Sequence, residues 1–260
     1  MKPLELLFER EGLHAPGLPP GLAIRYGGDF GIARPRVYAN FVSSVDGVVA
    51  LRDGGESGRV VSGGSEADRF VMGLLRAFAD AVVIGAGTFR HASGDLWNAD
   101  HAYPEAADLF AELRDDLGLP LQPRLVVVTA SGEMDLGQPA LAGALIVTTR
   151  AGDARLRGAV PVGARVAVLD PVRPATLMGL LHAEGLRAVL TEGGPSLVGE
   201  LLRDGVVDEL FLTLSPRLFG RTASDGRKSL VEGVDLAGRE TELLSVRRDG
   251  SHLFLRYALR

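Results

Sequence analysis

The sequence predicts a single α/β domain on a mixed, mostly parallel sheet with an antiparallel C-terminal edge. Three observations support this. The continuous apolar runs "RLVVVT" (124–129), "ALIVTT" (144–149) and "ARVAVLD" (164–170) suit strands covered on both faces. Strand-like runs alternate with amphipathic segments, as parallel strands joined by helices require. The C-terminal blocks "DELFLTLSP", "ETELLSVRRDG" and "SHLFLRYAL" change to strand, turn and strand, which suits the antiparallel edge.

The elements follow in order. Residues 3–11 suggest a short amphipathic helix, and the Gly- and Pro-rich stretch 12–31 an irregular arm. "RVYANFV" (36–42) is strand-like and "SSVDG" breaks it. Residues 49–64 are Gly-rich and predict a long loop. "SEADRFVMGLLRAFA" (65–79) predicts a helix capped by Ser65, with Phe70, Leu74, Leu75 and Phe78 at helical spacing. "DAVVIGAGT" (80–88) is a buried strand entering a Gly turn. Residues 104–117 suggest a helix with Pro104 in its first turn. Beyond the three apolar runs come a helix at 174–184, a strand at 187–191 and a helix at 196–204. No internal repeat or linker divides the chain.

Composition excludes several classes. The 260 residues are 46% hydrophobic and 23% charged, ordinary for a globular protein with a core. A net charge of −5 argues against a nucleic-acid partner. "MKPLELLFEREG" is too short and too charged for a signal peptide, and no apolar stretch reaches membrane-spanning length. A soluble cytoplasmic protein is expected. With no cysteine there is no disulfide, thiolate nucleophile or Cys-ligated zinc, and the five histidines lack metal-site spacing. No metal is expected.

Two strand-to-turn junctions are candidate ligand sites: "VVIGAGTFR" (82–90) and "VLTEGGPSLVGELL" (189–202). Ligands of open α/β sheets gather at strand carboxyl ends, where glycine lets backbone N–H groups approach a phosphate. Glycine also occurs at such turns for steric reasons alone. Neither junction has the dinucleotide fingerprint GxGxxG, and the chain has no GxxxxGK[ST] loop or GxSxG elbow. On the residues alone, each turn is either a phosphate cradle or a tight connection.

The ordered blocks "RVYANFVSSVDG", "GGESGRVVSG", "LLRAFADAVVIGAGTFR", "RLVVVTAS", "VLTEGGPSLVGELL" and "VDELFLTLSPRLFG" resemble the riboflavin-biosynthesis reductase family. That family comprises the reductase half of the bacterial bifunctional deaminase/reductase and standalone pyrimidine reductase-like proteins. The resemblance runs from about residue 34, leaving 1–33 as an N-terminal helix and arm and 34–260 as one reductase domain. It implies a dihydrofolate-reductase-like three-layer αβα fold and the cofactor NADPH. It also implies reduction of 5-amino-6-(5-phosphoribosylamino)uracil to the ribitylamino product, and a homodimer, for which the apolar "LFLTLSPRLF" is a candidate surface. The partner deamination needs a zinc held partly by cysteine, which this chain lacks, so only the reductase half is expected. Alternatives are a reductase of another pyrimidine or pterin ring, dihydrofolate included, and a dinucleotide-binding module without turnover.

By matched position, Gly85, Ala86, Gly87 and Thr88 resemble the family's cofactor turn. Gly193, Gly194, Pro195, Ser196, Leu197 and Val198 resemble its pyrophosphate and nicotinamide-ribose turn. Ser43 is a matched cofactor position, and Arg90 and Ser131 are candidates for the adenosine 2′-phosphate. Glu192 and Asp46 are the expected catalytic pair. Glu192 resembles the substrate-contacting acid, against the alternative of a helix-capping acid. Asp46 competes with an ordinary Asp-Gly turn. Ser57 and Arg76 are expected on the substrate side, Arg76 as a cation for the phosphate; an arginine on a helix more often faces solvent. The chain departs from the bifunctional members at Arg59, where they carry an aromatic. It departs again at "FRHASGDLWNAD", where they carry an acid-acid-Pro element. These departures put the identity of the pyrimidine in question and leave His91 and Trp97 as weaker pocket candidates.

Overall fold

The structure, a computed structural model, describes residues 1–13, 17–51, 57–92, 94–222 and 226–259. Parts of two predicted loops, at 14–16 and 52–56, therefore lie outside the described residues. In chain order the elements are β1 (Glu5–Glu9), α1 (Pro20–Tyr26), β2 (Arg36–Ser44), α2 (Ser57–Ser62), α3 (Glu66–Phe78), β3 (Ala81–Gly85) and α4 (Ala86–His91). Next come α5 (Ala99–Ala102), a 3-10 turn (Pro104–Ala106), α6 (Ala107–Asp116), β4 (Arg124–Thr129), β5 (Leu145–Thr148), α7 (Arg150–Leu156) and β6 (Arg165–Val168). The chain ends with α8 (Pro174–Ala183), β7 (Ala188–Thr191), α9 (Pro195–Arg203), β8 (Glu209–Ser215), β9 (Thr241–Asp249) and β10 (His252–Leu259).

All ten strands join one sheet in the order β1-β9-β10-β8-β2-β7-β3-β4-β5-β6. From β8 to β6 every neighbouring pair is parallel, and β10, β9 and β1 continue the sheet antiparallel. Side chains alternate across the sheet, so each strand feeds two cores. Val82 and Ile84 pack with α1, α3, α5 and α6 through Leu22, Phe70, Ala99 and Phe110. Ala81 and Val83 pack with α8 and α9 through Leu177, Leu181, Val198 and Leu201. The result is the expected three-layer α/β/α arrangement.

Four expectations need correction. Residues 5–9 form a strand rather than a helix. Five residues make a marginal helix, whereas antiparallel pairing with β9 supplies a hydrogen-bond partner and aligns Glu5 with Arg248. Within the predicted arm, Pro20–Tyr26 is a helix started by Pro20 and closed by Gly27 at φ 75°. The predicted loop 49–64 contains α2. β6 is an edge strand with Arg165 and Val168 exposed, so its apolar run is covered only in part. Within the candidate dimer segment, β8 lies inside the sheet between β10 and β2, with Leu210 and Phe211 buried, Leu212 and Leu214 half-buried and Leu218 exposed.

Candidate functional site

β7 enters the sheet between β2 and β3, although it follows both in sequence. The register pairs Val83 with Thr191, so β3 and β7 release their chains side by side. Thr191 Oγ1 donates to Val83 O at 3.2 Å and the Glu192 amide to the same carbonyl at 3.1 Å. The two Gly turns are thereby neighbours. A Cβ built on Gly194 would lie 3.2 Å from Thr88 Oγ1, and one on Gly85 would lie 3.8 Å from Leu197.

The glycines differ in kind. A Cβ on Gly193 would meet Leu197 Cδ2 at 2.7 Å, so any other residue there must shift that leucine. A Cβ on Gly87 would meet nothing within 4 Å, and this exposed position faces open space. Pro195 and Val198 are buried at the start of α9, while Ser196 is exposed. A ligand can reach Val198 only through its backbone, because its side chain belongs to the core. Ala86 is likewise buried.

Glu192 does not cap α9. Gly194 is the cap residue, and no side chain bonds the free amides there. The Glu192 carboxylate turns instead to Arg76. Arg76 Nε donates to Glu192 Oε1 at 3.0 Å, and Nη2 to Oε2 at 2.6 Å. The outer end of the same guanidinium donates to both oxygens of Asp95 at 3.2 Å, and Nη1 also to Asn98 O at 3.3 Å. A guanidinium has five N–H donors, and these contacts engage all five. Arg76 is 1% exposed. Its expected role as a phosphate cation is therefore corrected: no donor remains for a phosphate.

Electrostatics agree with the geometry. Burial pushes the Arg76 pKa down, and the Glu192 and Asp95 carboxylates more than reverse this, leaving it raised. Burial pushes Asp95 up, but Arg76 and the Trp97 amide hold it below the usual carboxylate value. One buried cation thus lies between two partly exposed acids, so the cluster carries a surplus negative charge. A carboxylate offers about four acceptor positions. Arg76 occupies only part of those on Glu192, whose side chain remains 10% exposed.

Asp46 is differently engaged. β2 continues past its pairing with Thr191 at Ala39, so Ser43 lies four residues further along, about 13 Å of strand. Asp46 accepts from Ser44 Oγ at 2.6 Å and from the Phe219 and Gly220 amides at 3.2 and 2.6 Å. The Ser44 bond, ahead of those amides, lowers its pKa. The carboxylate braces the 219–220 loop, so the geometry favours the turn-forming alternative over a catalytic one. Ser43 is buried, its hydroxyl donating to Ser44 O at 2.9 Å. Ser57 opens α2, and its Oγ accepts from the Leu51 amide at 3.1 Å.

Arg90 and Ser131 are brought together. Arg90 Nη1 donates to Glu133 O at 3.0 Å, and Ser131 Oγ accepts from the Glu133 amide at 3.2 Å. His91 is exposed. Trp97 is buried in the core against Phe89, with ring centroids 5.6 Å apart, rather than in an exposed loop. Sequence reasoning missed Asp95. Its one local signal is a turn, since Oδ1 accepts from the Trp97 amide two residues on at 2.8 Å. Nothing in the 19-residue separation from Arg76 announces their pairing.

Fold and site define a three-layer α/β protein with paired glycine turns and a buried acid at the carboxyl ends of its central strands. The RibD C-terminal domain family matches residues 35–255. The chain belongs to that family. It is 28% identical over 218 residues to a 2,5-diamino-6-ribosylamino-4(3H)-pyrimidinone 5′-phosphate reductase of Archaeoglobus fulgidus, covering 79% of this chain and 94% of the relative. It is 30% identical over 192 residues to the riboflavin biosynthesis protein RibD of Mycobacterium tuberculosis, covering 72% of this chain but 43% of that longer protein. The fold is shared with a pyrimidine reductase-like protein of Corynebacterium diphtheriae at a TM-score of 0.70 and 24% identity, over 87% of this chain and 92% of that one.

Proposed function

We propose that this protein is an NADPH-dependent oxidoreductase of riboflavin biosynthesis. In this reading it reduces a phosphoribosylated aminopyrimidine to its ribitylamino product. The observation that carries the reading is Glu192, a buried acid with unoccupied acceptor positions beside the Gly193–Gly194 turn, within the family-matched span. A pyrimidine presents N–H donors, and a partly satisfied carboxylate accepts them.

The cofactor fits the turns on geometric grounds. Gly87 faces open space, and Gly194 and Thr88 Oγ1 approach so closely that a Cβ would crowd the gap. We assign the backbone of Gly85–Thr88 and Gly193–Val198 to the dinucleotide, with Ser43 beside it. Arg90 and Ser131, converging on Glu133, suit the 2′-phosphate that distinguishes NADPH from NADH. When bound, the cofactor would supply the hydride that adds to C1′ of the ring-opened sugar imine while the imine nitrogen takes a proton, leaving the nicotinamide oxidised. The protein's own part is to orient the pyrimidine through Glu192 and to keep Arg76 away from the substrate. Ser57 is retained as a substrate contact. Catalysis is assigned to Glu192 alone, because Asp46 is occupied by the 219–220 loop. We further propose a cytoplasmic homodimer.

Two pyrimidines compete for the assignment. The expected substrate, 5-amino-6-(5-phosphoribosylamino)uracil, carries an oxo group where the compound in the Archaeoglobus relative's name carries an amino group. That relative is matched over nearly its whole length, which favours the diamino compound as a second reading. The test is oxidation of NADPH followed by absorbance with each pyrimidine and with dihydrofolate, in wild type and Glu192→Gln. Turnover with one pyrimidine and none with dihydrofolate is expected. Glu192→Gln should lose about tenfold to hundredfold in kcat/KM at unchanged NADPH affinity, the range for a hydrogen bond to a charged group. A fully active Glu192→Gln removes the substrate assignment. NADPH binding without turnover on any ring favours a non-catalytic binding module.

A further inference from the structure

Asp95 lies in the segment where the chain departs from the bifunctional pattern, yet it completes the cluster around the buried Arg76. It takes the Nη1 and Nη2 end of Arg76, and Glu192 takes the Nε and Nη2 edge. Nη2 donates to both acids. The plane of a guanidinium fixes all five donors at once, so holding one end sets the direction in which the other points. Asp95 is itself oriented by the Trp97 amide at 2.8 Å. Trp97 in turn is locked in the core with φ at 52°, a backbone conformation that side chains rarely adopt without surrounding support. A rigid chain of contacts therefore runs from the Trp97 backbone through Asp95 and Arg76 to the Glu192 carboxylate.

Charge gives this chain a consequence. With both acids present, Arg76 divides its hydrogen bonds and the cluster keeps surplus negative charge beside the site. Arg76 and Glu192 already form a bidentate pair, and Asp95 holds the far end of the same guanidinium. Without the Asp95 charge that far end is released, the guanidinium is free to turn, and the Glu192 acceptor positions turn with it.

We propose that Asp95 is a positioning residue for pyrimidine recognition, holding Arg76 so that Glu192 presents free acceptor positions to the substrate. This rests on the reading of Glu192 as the pyrimidine contact. Asp95 touches neither pyrimidine nor cofactor and acts through Arg76. The same arrangement selects a substrate edge rich in N–H donors, because a net negative cluster repels lone pairs.

The experiment compares wild type, Asp95→Asn and Asp95→Glu with either phosphoribosylaminopyrimidine as substrate. It measures pyrimidine KM, kcat, NADPH Kd by direct titration, and thermal unfolding. Asp95→Asn should raise pyrimidine KM by about tenfold or more, which is about 1.4 kcal/mol. NADPH Kd should stay within about twofold, well under that tenfold step. Asp95→Glu should recover part of the KM loss by restoring the charge at a shifted position. If Asp95→Asn unfolds, Asp95→Glu alone decides, through its pyrimidine KM rising while NADPH Kd does not. Wild-type KM in the folded variants overturns the proposal, as does an equal weakening of pyrimidine and NADPH. Absence of wild-type turnover with both pyrimidines overturns the reductase reading itself, and the proposal with it.

Discussion

Arg76 holds all five of its N–H donors inside the protein, and burial decides what it can do. On a helical wheel it is one of the two arginines of α3; near the end of that helix it is a fixed post between two acids. The α6 residue Arg114 secures that post, its Nη1 donating to the Arg76, Ala77 and Ala79 carbonyls at 3.3, 3.0 and 2.8 Å. The family resemblance, by matched position, singles out Glu192 and Arg76 as candidates. It cannot supply their partners, because those lie 116 and 19 residues apart. Asp68, on the same helix, carries a prediction about stability. Burial raises its carboxyl from 3.8 to about 6, outweighing hydrogen bonds from Thr213 and Ser62 and the attraction of His252. A folded value above the unfolded one means that the folded state binds this proton more tightly. The resulting stabilisation is complete below about pH 3.8 and is lost as pH rises through about 6. Asp68→Asn should therefore stabilise the protein at neutral pH by about 1–2 kcal/mol, with the advantage vanishing in acid. Urea unfolding of both proteins across that pH range checks it. A constant difference at all pH values would show that the carboxyl does not titrate with folding.

Between residues and fold, the two Gly turns separate packing from ligand approach. Gly193 lies under Leu197, so Gly193→Ala must displace α9 or its leucine and should cost about 1–3 kcal/mol. Gly87 is helical and open, so Gly87→Ala should leave stability unchanged or raise it by up to about 1 kcal/mol. If the backbone there lies against a pyrophosphate, the added methyl should weaken NADPH binding nonetheless. Thermal unfolding beside NADPH titration distinguishes the two positions. Equal NADPH affinity for Gly87→Ala and wild type would remove that turn from the cofactor site. The central elements were legible because their signals are local: β4 carries the apolar run Leu125–Val128 and β5 the run Leu145–Val147, and α3 carries both a Ser65 cap and helical spacing. The short elements α2, α4, α5 and α7 span four to seven residues and have little periodicity to read. β6 misled because an apolar run marks a strand without revealing that it lies at the sheet's edge.

At the scale of the whole molecule, the first 33 residues were the least legible part, because their structure depends on partners far along the chain. β1 gains its ladder only from β9, and α1 packs on a core assembled by α3 and α6. Arg247 shows how closely the ends are joined. It is buried with its guanidinium carbon 3.9 Å from the centre of the Tyr26 ring, donating to Tyr26 O at 2.9 Å and to Glu9 at 2.8 Å. Phe30 is in edge contact with Tyr26, Phe78 and Phe211, at centroid distances of 4.9, 5.0 and 5.7 Å. From the segment preceding the family match, Leu4, Leu22, Tyr26, Phe30 and Ile32 are thus packed as core while β1 stays exposed, and treating 34–260 as self-sufficient leaves Arg247 without these partners and Phe78 and Phe211 uncovered. Removal of residues 1–33 should therefore abolish cooperative unfolding or lower Tm by well over about 5 °C. Leu22 is fully buried, and Leu22→Ala should by itself cost about 2–5 kcal/mol. Circular dichroism melts of both variants decide the matter. A truncated chain melting cooperatively at the wild-type temperature would make the N-terminal segment an appendage, whereas a collapse matched in direction by Leu22→Ala would make it part of the domain.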